Sequence, residues 1–158
     1  MRIALLLFIA SFGGAFGAEG GQVLWSSERF ARNVTSIGHE PLGPVYRFEL
    51  GGFRLGFEPT RSNVAEWRAN WTSLDSTAYS DQFRFFASST DISGNTIPED
   101  LSRQAYIWGF NHTNQESDAE WILVTSETWK WPTTSNKILP PEEWTIGGAE
   151  VAVVGKVN

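Results

Sequence analysis

Apolar and polar positions alternate most cleanly at residues 45–50, where Tyr46, Phe48 and Leu50 fall on one side of an extended chain and Arg47 and Glu49 on the other. That period marks a half-buried strand. Gly51 and Gly52 separate it from Phe53, Leu55 and Phe57, and two glycines can supply the positive φ angles of a tight turn. The expected hairpin pairs Leu50 with Phe53, Phe48 with Leu55 and Tyr46 with Phe57, with Glu49 facing Arg54 in solvent. A strand running on through a glycine bulge is the competing arrangement.

Val64, Trp67, Trp71 and Leu74 follow one face of a helix, so a short helix is expected over residues 64–71, with Asn63 and Glu66 as a capping pair. Thr72 and the Ser/Asp/Thr run after it favour a loop. Residues 82–88 read as a strand, with Phe83 and Phe85 on one face and Phe86 on the other. Residues 89–102 read as turn-rich. Residues 104–110 and 121–125 are apolar on successive positions, as interior strands are. Pro140, Pro141 and Glu142 read as a loop, with Trp144 and Ile146 leading into a last strand at 149–157. Helix and strands together predict a mainly β fold: a two-layer antiparallel β-sandwich or jelly-roll-like domain with one short helix on its side or end.

The first residues change the picture. Arg2 precedes an uninterrupted apolar run from Ile3 to Ala10, and small residues follow to Ala18. This is the pattern of a signal peptide, residues 1–18, with cleavage after Gly17 or Ala18. The run is shorter than the roughly 20 apolar residues a membrane-spanning helix needs, so no span is expected after its removal. Residues 19–158 then form a single domain. The chain carries 18 acidic and 12 basic residues, net charge −6, and no cysteine. The charge disfavours nucleic-acid and anionic-membrane partners. An exported protein without disulfides holds its fold by its core, which fits a bacterial source. Asn33, Asn70 and Asn111 begin Asn-x-Ser/Thr triplets and read as unmodified polar loop residues.

Several segments resemble a group of uncharacterised exported bacterial proteins, many of which end in a PEP-CTERM sorting tail. They are Phe48-Glu49-Leu50-Gly51, Gly56-Phe57-Glu58-Pro59-Thr60, the stretch 67–71, the segments 104–110 and 120–123, and Trp129-Lys130-Trp131-Pro132. The resemblance implies export, in a setting such as an extracellular matrix rich in polysaccharide. It carries no catalytic residue to transfer. The sequence closes on Gly155-Lys156-Val157-Asn158 without the apolar helix of that tail, so a sorting role is not expected.

Three features of the sequence bear on chemistry. Hydrolysis needs a nucleophile with a base, or two opposed carboxylates. His39 and His112 are the available imidazoles, and both read as loop residues outside any catalytic motif. Asp91, Ser93 and Asn95 could begin a calcium loop, but Thr96 and Ser102 stand where such a loop needs Gly and Glu. A polar turn is expected instead, with no metal or cofactor. Eight tryptophans remain. Trp67, Trp108 and Trp121 lie in periodic apolar segments and belong to the core. Trp129 and Trp131 flank Lys130, and in an extended chain both rings project from one face about 7 Å apart. Packing is the simpler reading of that pair, and a flat platform for a sugar is the alternative. The expectation is a secreted, extracellular or cell-surface noncatalytic protein, periplasmic at the nearest. A carbohydrate-binding module using Trp129 and Trp131, with extracellular polysaccharide as partner, is the second reading, and a small glycan-active enzyme is the third.

Overall fold

The computed structural model describes residues 21–28, 36, 42–92, 96–114, 117–132 and 140–155. The signal-peptide segment, Asn33, His39 and residues 156–158 lie outside them. The chain is a β-sandwich with one short helix. Strands β1 (Gly21–Ser26), β4 (Ala87–Ile92) and β7 (Glu142–Thr145) form one sheet, in the order β4-β1-β7. Strands β2 (Arg47–Phe53), β3 (Trp71–Ala78), β5 (Tyr106–Phe110), β6 (Trp121–Thr125) and β8 (Val151–Val154) form the other, in the order β3-β2-β5-β6-β8. Every pairing is antiparallel except β1 with β7.

The five-stranded sheet buries both faces, and alternation along β2 shows how. Phe48 and Leu50 point between the sheets, where they join Val23, Trp25, Ile107, Val124, Trp131 and Trp144. Glu49 and Phe53 point the other way. There Phe53 packs with Trp108, Phe110 and Leu123 under Trp67 of helix α1 (Val64–Asn70). A two-faced sheet of this kind needs apolar residues on successive positions, which is the pattern of β5 and β6.

The hairpin at Gly51-Gly52 does not form, and β2 runs straight through both glycines to Phe53. Neither glycine has a positive φ. Close packing explains the residue type. A Cβ on Gly51 would lie 2.2 Å from the carbonyl oxygen of Thr72 and 2.7 Å from the Trp71 ring. The register of β2 on β3 shifts between Leu50 and Gly51, so the strand runs on as in the competing arrangement, but the extra residue of the bulge is Leu74 on β3 rather than a glycine. Leu55 is accordingly exposed, and Phe57 packs under the helix on Phe53 at 5.3 Å.

Helix α1 occupies the expected residues, with Trp67 fully buried. Its capping differs: Asn63 makes no side-chain cap bond. The Asn63 Oδ1 atom accepts instead from the Thr60 amide at 2.8 Å and the Trp67 indole N–H at 2.9 Å. Residues 72–78 are strand β3 rather than loop. This edge strand alternates between half-buried and exposed side chains, so its polar residues satisfy the outer face while the backbone pairs with β2. Residues 81–84 form a turn rather than a strand, and β4 starts at Ala87. Glu142 opens strand β7 rather than lying in a loop. It lies alongside Val23 of β1.

Candidate functional site

Trp129 and Trp131 do not form a surface platform. They are 3% and 1% exposed. Both rings turn inward onto Trp144, at centroid separations of 5.8 and 5.4 Å. The pair does share a face, as an extended segment requires, but that face is the interior. Gln104 fixes the segment there. Its amide nitrogen lies 2.6 Å from the Thr125 hydroxyl, 2.8 Å from the Ser126 carbonyl and 3.0 Å from the Trp129 carbonyl. Its oxygen accepts from Lys130. A single side chain therefore turns the lysine outward and the two indoles in.

Other polar groups in the core hold elements together. The Asp75 carboxylate, on edge strand β3, accepts from the Trp25 indole at 2.8 Å and the Ser88 hydroxyl at 2.7 Å. It joins the two sheets along their β3–β4 margin. Glu49 was expected in solvent opposite Arg54, yet it lies mostly covered on the helix-side face. Its Oε2 accepts from the Trp71 indole at 2.6 Å and sits 3.5 Å from the Arg68 guanidinium. The indole N–H groups of Trp108 and Trp131 are buried without a hydrogen-bond partner. Trp108 meets Trp67, Trp71 and Trp121 at interplanar angles of 78–85°, a geometry that places N–H and C–H edges against ring faces.

Titratable groups collect at the end of the sandwich where β5 gives way to β6. Arg47 lies opposite Phe110, and Phe110 opposite Trp121, so Tyr46, Asn111 and Glu120 form the next row across three strands. The Tyr46 hydroxyl donates to the Glu120 carboxylate. Burial first, and then that bond, hold the Tyr46 phenol well above its ordinary pKa. Asn111 accepts the Glu120 amide at 2.7 Å and donates to the Asp118 carbonyl at 2.8 Å. His112 stands 3.5 Å from Asp118. Asn70, the other described glycosylation triplet, donates to the Glu66 carbonyl at 2.9 Å. The contacts of Asn111 and His112 link the end of β5 to residues 118–120 ahead of β6. Among the described residues, no three His, Cys, Asp or Glu side chains converge as a metal site.

The same end of the sandwich carries the turn from β3 to β4, at residues that alternation alone assigns to a strand. Ser80 and Phe85 are bridged, with the Ser80 amide donating to the Phe85 carbonyl at 3.0 Å. The Ser80 hydroxyl accepts the Phe83 amide at 3.3 Å, and Asp81 accepts the Gln82 amide at 2.8 Å. Buried residues anchor both sides: the Tyr79 amide donates to the Tyr46 carbonyl at 2.9 Å, and Phe86 stacks on Phe48 at 3.9 Å. From this base Phe83 projects 59% exposed. Its ring lies 6.2 Å from that of Phe85, tilted by 52°. The sequence signal for such a site is an aromatic flanked by Asp, Gln and Arg close to the buried Phe86, and alternation masks it.

No protein-family model, curated protein or solved structure matches this chain.

Proposed function

We propose that this chain is an exported, noncatalytic module of the cell surface or extracellular matrix. The observation that carries the reading is where the aromatic residues go. Seven of the eight tryptophans are buried, divided between the two sides of one sheet. In a chain without cysteine, that investment supplies the rigidity that small extracellular domains otherwise draw from disulfides. The N-terminal pattern of one basic residue, an apolar run and small residues supports export. No described helix is long and apolar enough to cross a membrane.

Expression from its own N-terminus in a bacterial host, followed by fractionation and intact-mass measurement, tests the reading. The expected product lies outside the cytoplasm and begins near Ala18 or Glu19. A product that retains Met1 and stays in the cytoplasm overturns export. Release of reducing sugar from polysaccharide substrates by the purified chain overturns the noncatalytic half.

A further inference from the structure

Arg84 has φ 55°, and it is the only residue other than glycine with a positive φ among those described. A side chain in that left-handed conformation crowds its own backbone, a cost glycine avoids. The adjacent Phe83 leaves most of its ring in water. The turn thus accepts two local penalties in succession on a base that is otherwise well bonded, and strain retained in a well-determined segment points toward function. The exposed side chains are chemically varied. Phe83 offers an open ring face, Asp81 an acceptor, Gln82 a donor and an acceptor, and Arg84 a fork of donors. The charges of Asp81 and Arg84 cancel.

We propose that residues 81–84 form a recognition tip for a neutral saccharide, whose apolar ring face stacks on Phe83 while its hydroxyls bond Asp81, Gln82 and Arg84. The match is one of balance. An anionic surface is disfavoured by Asp81 and by a net charge of −6. A hydrophobic protein partner calls for a contiguous apolar patch, whereas Phe83 is set among polar neighbours. A sugar presents an apolar face and a rim of donors and acceptors together, which this turn can meet without a deep pocket. The inference deepens the reading of an extracellular module and draws on it only for the placement of the tip outside the cell.

Affinity gel electrophoresis tests it, with dextran, xyloglucan and galactomannan as neutral probes and alginate as an acidic one. The wild-type chain is expected to be retarded by at least one neutral polymer, and Phe83→Ala to weaken that retardation about tenfold. Arg84→Gly is the decisive variant. Glycine takes the same φ without strain, so its thermal midpoint should stay level or rise while retardation falls severalfold. A lowered midpoint with unchanged binding would make Arg84 a folding residue and overturn the proposal. So would free migration of the wild type through every neutral gel, or retardation by alginate alone. Sugar binding by a chain that remains cytoplasmic would count against export and leave the tip standing.

Discussion

The five-stranded sheet has a tryptophan-rich core on each face, and the two are built differently. Under α1, Trp67, Trp71, Trp108 and Trp121 meet one another at 5.2–6.0 Å, and all come from β3, β5, β6 and the helix. Between the sheets, Trp25, Trp129, Trp131 and Trp144 come from strands near both ends of the chain and from an irregular segment. Polar side chains such as Asp75 and Gln104 aim them inward. Ring meets ring in both, but the buried residues of the helix-side core lie between Phe53 and Leu123, whereas the inter-sheet core joins Val23 and Trp25 to Trp144 and Ile146 and is aimed by long-range hydrogen bonds. Periodic residues suffice for the first. The second depends on contacts between distant segments.

The sharpest test of this difference lies along β2, where adjacent residues serve opposite cores. Phe48→Ala should cost roughly 3–5 kcal/mol, since the ring is 1% exposed and stacks on Phe86. Gly51→Ala and Gly109→Ala come next. A Cβ at Gly51 meets the Thr72 backbone oxygen at 2.2 Å, whereas one at Gly109 meets the Phe48 ring at 2.4 Å. A backbone carbonyl in a ladder yields less than a side chain, so Gly51→Ala should lose about 3 kcal/mol and Gly109→Ala about 2 kcal/mol. Urea midpoints in the reverse order would show the inter-sheet core to be the stiffer one. Glu49→Ala should lose roughly 2 kcal/mol by orphaning the Trp71 indole, and Glu49→Gln much less, because the amide oxygen still accepts. Equal losses from the two Glu49 variants would mean that the Arg68 contact, not the indole, matters there.

The smallest effects are in pH. Glu150 accepts from the Glu127 amide and the Ser126 hydroxyl, both at 2.9 Å. These bonds hold its carboxyl below the ordinary value. A depressed folded pKa gives stability that is present above the unfolded value of about 4.3 and is lost as pH falls through the folded one. The gap in urea midpoint between wild type and Glu150→Gln should therefore narrow on acidification. At the alkaline end all three tyrosines, Tyr46, Tyr79 and Tyr106, are raised chiefly by burial. The sign is reversed. Their contribution is full below the unfolded value near 10 and is lost as pH rises through the folded values. Phenolate absorbance should appear only with loss of structure, and early titration of any one tyrosine would show that its ring is not held as described.

The helix-side core was the more legible in the sequence. The spacing of Val64 and Trp67 and the apolar runs at 104–110 and 121–125 located α1, β5 and β6, and with them the β-sandwich. What failed was reading a residue by its neighbours alone. Gly51 and Gly52 looked like a turn because their tight packing against Trp71 and Trp131 is a tertiary fact. Residues 72–78 looked like a loop because an edge strand needs little hydrophobic pattern. Strand β1 gave no expectation of its own and β7 was hidden in the expected loop and lead-in at 140–146, although Val23, Trp25 and Trp144 are all buried. Trp129 and Trp131 were correctly placed on one face, but the inward direction of that face is set by Gln104, which lies on another segment. The turn at 81–84 stayed hidden for a related reason: alternation puts Phe83 and Phe85 on one face of a strand, and only the hydrogen bonds to Ser80 set Phe83 apart as the one that remains in water.

The parallel pairing of β1 with β7 has a consequence for the order in which the molecule can form. Residues 23–26 are among the first of the described chain to be synthesised, and their partners, residues 142–145, among the last. Strand β1 is the middle strand of its sheet, so that sheet cannot close until residues 142–145 have emerged. Such long-range closure is slow, because the entropy of a large loop is lost before the contacts that compensate it are made. Until β7 is made β1 can pair with β4 alone, so the inter-sheet core, which includes Trp144 and Ile146, is the last part of the molecule to be completed.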